Sequence, residues 1–170
     1  MSKQADQIDP RTIGARPDFT IDQDWAAYTE DEHRVWDELY ERQMKVLPGR
    51  AADEFMAGLD ALDLHRGGIP DFEKISDELE KLTGWRIVAV PCLVPDKVFF
   101  DHLANRRFPA GNFIRKRDQM DYIQEPDIFH DVFGHVPMLT NPEFADYMRK
   151  YGEGGLRSLE WDALKNLASL

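Results

Sequence analysis

The stretch that most constrains this chain runs from Glu125 to Pro137, Glu-Pro-Asp-Ile-Phe-His-Asp-Val-Phe-Gly-His-Val-Pro, where two histidines and several carboxylates are crowded between two prolines. Neutral imidazole is a common metal ligand, and a nearby carboxylate can either ligate directly or hold the ring in one tautomer. In an uninterrupted helix of about 3.6 residues per turn, residues five apart point roughly 140° apart, so His130 and His135 would not meet at one ion. A bend between them is therefore required. Gly134 can take the left-handed conformation that ends a helix, and Pro137 prevents the helix from resuming. The expectation is a short helix opened near Pro126 and Asp127 that carries His130, with His135 just past its end and turned back toward the same point. The flanking Ile128, Phe129, Val132, Phe133 and Val136 predict a largely buried wall around both rings, where an unpaired polar group is costly and a ligand role would satisfy it.

Two imidazoles leave several metal positions open. Two histidines with one carboxylate describe a mononuclear non-haem Fe(II) centre, and similar donors can hold a zinc ion that polarises water for hydrolysis. The His-Glu-x-x-His helix of the common zinc proteases is absent, but spacing alone leaves both metals open.

With 170 residues, one domain with a sizeable core is expected. The formal net charge of −11 argues against nucleic acid and against an anionic membrane surface as partners. The basic cluster Arg106-Arg107 with Arg115-Lys116-Arg117 lies just upstream of the histidines and is better read as attracting an anionic substrate group than nucleic acid, with a solvated loop as the equally common alternative. Cys92 is the one cysteine, so no internal disulfide forms and a reducing compartment fits. No signal peptide is evident at the N-terminus, and no stretch approaches the roughly 18 apolar residues of a membrane span. A cytoplasmic monomer is expected.

Residues 1–23 are polar with Pro10 and Pro17 and predict a flexible arm; residues 24–170 predict a single domain. Thr29-x-x-Glu32 is a capping box that opens a helix through Val35, Trp36 and Leu39 to Pro48-Gly49, with His33 solvated in its first turn. A second helix is expected over 51–62. A third starts at Pro70-Asp71, buries Phe72, Ile75, Leu79 and Leu82, and ends at Gly84. Trp85 to Val90 reads as a strand, 96–105 as a short helix with His102 on its surface, and 107–114 as a second strand. Asn141-Pro142-Glu143 opens another helix with Phe144, Tyr147, Met148 and Tyr151 on its apolar side. The Gly152-Glu153-Gly154-Gly155 run predicts a loop, followed by a last helix whose Leu164, Leu167 and Leu170 stop without a cap. The fold class is mainly α with a minor β element.

The run EPDIFHDVFGHVP, with Tyr122 before it and Met138-Leu139 after it, resembles the iron-binding segment of the aromatic amino acid hydroxylases. The likeness extends upstream through TGWRIVAVPCLVPDKVFFDHLANRRFPAGNFIR and downstream through NPEFADYMRKYGEGG, from about Ile69 to Leu170. It is greatest to the short bacterial members, which hydroxylate L-phenylalanine to L-tyrosine. The resemblance implies that family's catalytic-domain fold, Fe(II) held by His130 and His135, and oxidation with dioxygen and a tetrahydropterin such as tetrahydrobiopterin. It places Phe99 stacked on the pterin, Val94 and Asp96 in the loop at its edge, and Asp131 near it through water. Arg115 would bind the substrate carboxylate, with Asp127 supporting it, and Tyr122 and Pro126 would shape the aromatic pocket. The family's third metal ligand, a glutamate, would fall past Leu170, so the resemblance implies a chain truncated at its C-terminal end, with little activity alone. No side chain is needed as a nucleophile. Outside the resemblance, the alternatives are a zinc-dependent hydrolase and a non-catalytic acidic helical module.

Overall fold

The structure, a computed structural model, describes residues 9–65 and 67–168, with side chains through residue 161. Helix α1 spans Glu30–Met44 behind the expected capping box: the Thr29 hydroxyl accepts from the Glu32 backbone N–H, and the Glu32 carboxylate accepts from that of Thr29. Its buried stripe is Val35, Trp36 and Leu39. Helix α2 covers Asp53–Ala61 and α3 covers Phe72–Thr83, capped by Asp71 at one end and by Gly84 in the left-handed conformation at the other. Phe72, Ile75 and Leu79 of α3 are buried as expected, but Leu82 is 48% exposed. The buried face also takes in Ser76, and Thr83 in the last turn donates its hydroxyl to the Leu139 carbonyl at 2.8 Å, so Leu82 falls at the edge of the stripe.

Strands β1 (Arg86–Val90) and β2 (Arg107–Gly111) pair in parallel, from Arg86 opposite Arg107 to Val90 opposite Gly111. A parallel pair needs a crossover, and α4 (Asp96–Ala104) lies within it. Residues 9–23 depart from the expected arm. They form a 3-10 turn at Pro10–Ile13 and a β-bridge from Ile21 to Ala89, and Phe19 is buried. Residues 1–8 lie outside the described residues.

The largest departure is α5, which runs without interruption over Pro142–Ala168, through the glycines predicted to form a loop. Packing explains it. A Cβ on Gly152 would sit 2.5 Å from the Ala104 amide nitrogen, and one on Gly155 would sit 2.3 Å from the Phe100 ring. The glycines let α5 lie directly on α4, and this contact outweighs their low helix propensity. Phe144 and Met148 pack on the core, whereas Tyr147 and Tyr151 are 59% and 47% exposed. The side chains of Leu164 and Leu167, and all of Leu170, lie outside the described residues.

Two histidines expected at the surface are structural. His102 is fully buried, with Nε2 2.8 Å from the Asp18 carbonyl oxygen. The Nδ1 of His33 accepts from the Ile69 backbone N–H at 3.0 Å. Both contacts are distant in sequence, so the helical position of each ring could not show them.

Candidate metal and cofactor site

The stretch that carries the two histidines is organised by what its apolar residues pack against. Phe129 and Phe133 stack at 4.7 Å between ring centroids. Trp36 of α1 meets Phe129 edge-on at 5.0 Å, and Phe55 of α2 meets Phe133 at 5.9 Å. Burial of these rings, with Ile128, Val132 and Val136, leaves the opposite side of the turn free for the histidines. The opening is where the sequence predicts it. Asp127 accepts from the His130 backbone N–H with Oδ1 at 2.9 Å, and its carbonyl accepts from the Asp131 N–H.

The bend differs from expectation. Gly134 is right-handed, with φ −77° and ψ −30°, and no left-handed break separates the two histidines. Instead, Phe129–Phe133 forms a π-helical turn followed by a 3-10 segment over Val136–Thr140. Hydrogen bonds reaching five residues along the chain widen the turn and bring residues five apart onto one side. The two rings converge as expected, with centroids 5.1 Å apart. They are more open than the predicted buried wall: both residues are exposed, and the burial belongs to their apolar neighbours.

The electrostatics of the two rings differ. Asp131 Oδ1 lies 3.0 Å from His130 Nδ1, and Asp131 Oδ2 accepts from the Gly111 backbone N–H at 2.8 Å. The carboxylate is thereby tied to β2, and a proton on Nδ1 leaves Nε2 free to accept a metal. Hydrogen bonding to Asp131 raises the His130 pKa, against the opposing effect of burial. His135 lies beside the Phe108 ring at 5.8 Å, and desolvation, helped by the neighbouring His130, pushes it down toward the neutral form a metal requires. Among the described residues no third His, Cys, Asp or Glu joins the pair into a three-ligand cluster.

His130 stands where two cavities meet. The smaller, about 210 Å³, is lined by His130, His135, Asp131, Val94, Phe99 and Pro126, together with Cys92, Phe108 and Gly111. The larger, about 520 Å³, has Arg115, Met120, Phe129 and His130 on one side and Leu39, Arg42 and Gln43 of α1 on another. Val94, Phe99 and Asp131 thus share the smaller cavity, while Asp96 lies in the first turn of α4 outside its lining. Arg115 faces the larger cavity and holds the buried Asp127 through Nε at 2.8 Å and Nη2 at 2.9 Å. Pro126 lies on the smaller cavity, and Tyr122 is 79% exposed and outside both linings. The neighbouring cations turn elsewhere, Arg107 to Asp101 and Arg117 to Asp31 and Glu38, so the expected basic cluster is not one surface. Phe108, Gly111 and Arg42 were not singled out from sequence; they reach the site through strand pairing and helix packing, which leave no local motif.

A histidine pair with one ring oriented by a carboxylate stands beside an aromatic-walled cavity and a cavity with an arginine, a donor set suited to a metal ion with space for small molecules next to it. This chain belongs to the biopterin-dependent aromatic amino acid hydroxylases, whose sequence profile matches residues 22–168. The phenylalanine-4-hydroxylase of Caulobacter vibrioides is 72% identical over 157 residues, covering 92% of this chain and 53% of that protein. Among solved structures, cobalt-bound phenylalanine hydroxylase from Chromobacterium violaceum superposes with a TM-score of 0.83 at 54% identity, over 89% of this chain and 55% of that one. The same enzyme with iron(III) and the oxidized cofactor 7,8-dihydrobiopterin gives 0.79 at 55% identity, over 82% and 51%. The chain spans about half the length of the relatives it matches. Its mainly helical fold with a small sheet is the fold of these structures over the matched region. Nothing in these relatives favours a zinc hydrolase or a non-catalytic module.

Proposed function

We propose that the chain carries the metal- and pterin-binding region of a phenylalanine 4-monooxygenase, which converts L-phenylalanine to L-tyrosine with Fe(II), a tetrahydropterin and dioxygen. The observation that carries this reading is the position of His130, which joins its partner His135 at the junction of two cavities of different chemistry. The donor set fits iron: two imidazoles, one fixed through Nδ1 by Asp131 and the other held toward neutrality, with open space beside both. Bound Fe(II), with the reduced pterin, supplies the dioxygen chemistry that side chains cannot.

The chain's own residues bind and orient. Phe99 offers an aromatic face for the flat pterin, and Val94 closes the same wall. Arg115 has five N–H donors and directs two of them at Asp127, leaving others for a substrate carboxylate in the larger cavity. Asp127 holds that arginine and Asp131 holds His130, while Pro126 stiffens the segment between the cavities. The roles of Asp96 and Tyr122 rest on the resemblance alone. A net charge of −11 supports a reading without nucleic acid or anionic membrane, and no described helix is long and apolar enough to cross a membrane. The single cysteine supports the cytoplasm as its compartment.

The test is metal content and turnover together. In a full-length context the protein should bind Fe(II) at one equivalent, His130→Ala and His135→Ala should each abolish that binding, and tyrosine formation from phenylalanine should require pterin. Unchanged metal content in both variants would overturn the assignment.

A further inference from the structure

Residues 16–21 run behind the wall of the smaller cavity in an uncommon conformation. Phe19 has φ +64°, a region bulky residues rarely occupy. Its N–H donates to the Arg16 carbonyl at 2.8 Å, and the Arg16 N–H donates to that of Thr20 at 2.9 Å. The Asp18 carboxylate accepts from both the backbone N–H and the hydroxyl of Thr20. Backbone of this kind persists where its surroundings over-determine it. The result is a buried Phe19 ring, 5% exposed, clustered with Val90 and Val94, with Phe99 packed against the same cluster. Val90, Val94 and Phe99 all line the smaller cavity, and Phe19 does not.

The segment is tied to both elements that carry those three residues. The Ile21 N–H donates to the Ala89 carbonyl at 2.9 Å, next to Val90 in β1. His102, one turn beyond Phe99 in α4, lies with Nε2 2.8 Å from the Asp18 carbonyl oxygen. A carbonyl only accepts, so Nε2 carries the proton and the ring is a donor fixed in one tautomer. Its Nδ1 has no hydrogen-bond partner among the described residues.

We propose that Phe19, aimed by the contact between His102 and Asp18, is a positioning residue that sets the width of the cofactor-side cavity by holding Val90, Val94 and Phe99 in place for a flat heterocycle. The inference rests on the pterin reading above. It separates the two halves of the site, because Phe19 supports the cavity wall and not the histidines.

The experiment titrates the full chain with 7,8-dihydrobiopterin and, separately, with Co(II). Phe19→Ala and His102→Leu should each weaken dihydrobiopterin binding by about tenfold or more, since small misplacements at a site are costly, while Co(II) affinity stays that of the unmodified chain. His102→Gln, whose amide can donate to the same carbonyl, should restore pterin binding toward the original value. Phe19→Leu keeps most of the apolar volume and should show a smaller loss in the same direction, which covers an unfolded Phe19→Ala. Unchanged pterin affinity in the Phe19 variants, or equal loss of pterin and Co(II) affinity, would overturn the proposal. An unmodified chain that binds Co(II) but no dihydrobiopterin would overturn the pterin reading, and this proposal with it.

Discussion

The carboxylate of Asp127 meets the guanidinium of Arg115 edge to edge, with Oδ2 accepting from Nε at 2.8 Å and Oδ1 from Nη2 at 2.9 Å. The same carboxylate accepts from the backbone N–H groups of Arg115 and His130, so one buried side chain fixes both the arginine of the larger cavity and the turn bearing a metal-ligand candidate. Burial pushes the Asp127 carboxyl up, but the donors from Arg115 and His130 outweigh it and hold it below the usual carboxylate range. Asp127→Ala leaves those donors without an acceptor and should destabilise the fold by about 3–5 kcal/mol, read as a lower denaturant midpoint. Because the folded pKa is depressed, the contribution is present above the ordinary Asp pKa and is lost as pH falls through the folded value. A variant midpoint equal to that of the unmodified chain at neutral pH would show that the pair contributes nothing.

Arg115→Lys keeps the charge but loses the planar fork that engages Asp127 and a carboxylate together. Loss of a charge-assisted hydrogen bond costs about 1.5–3 kcal/mol, so the apparent KM for phenylalanine should rise by about tenfold or more. The pterin KM should move much less, because Arg115 lines only the larger of the two cavities. Parallel rises in both constants would remove Arg115 from the substrate side.

What could be read from sequence was mostly local. The Thr29 capping box, the Asp71 and Gly84 ends of α3 and the two strand segments are set by residues within a few positions of one another, and the structure repeats them, with the second strand ending at Gly111 and not at 114; their parallel pairing was not read. The convergence of His130 and His135 was also legible, as a geometric requirement of two ligands five apart. The means were not: the π-helical turn is imposed by ring packing from α1 and α2. His102 and the strap at residues 16–21 were missed because their partners are far away in sequence.

The Gly152-Glu153-Gly154-Gly155 run shows the same limit and makes a graded prediction. Gly155→Ala and Gly152→Ala would drive a methyl into α4, and overpacking of this kind should cost about 1–3 kcal/mol. Gly154 meets only the Arg157 side chain at 4.0 Å, so Gly154→Ala should be neutral or stabilise by up to about 1 kcal/mol through helix propensity. Thermal or denaturant unfolding of the three variants checks the order. Equal effects at all three would mean that α5 does not lie on α4 as described.

Cys92 gives a direct reading of which ligand enters which cavity. It is the one cysteine in the chain, half-buried, and it lines the smaller cavity with Phe99 and both histidines. Alkylation proceeds through the thiolate. Desolvation by burial, with the Glu125 carboxylate adding to it, raises the Cys92 pKa, so the rate with iodoacetamide should be slow at neutral pH and should climb only above the ordinary thiol value of about 8.5. A pterin in the smaller cavity covers the sulfur, so 7,8-dihydrobiopterin should slow alkylation in proportion to its occupancy. Phenylalanine, assigned to the cavity of Arg115, should leave the rate unchanged. Mass spectrometry of the single alkylated cysteine over time measures all of this. Protection by phenylalanine without protection by dihydrobiopterin would exchange the two cavities, and labelling at neutral pH as fast as in the unfolded chain would show that Cys92 does not stand in a desolvated wall.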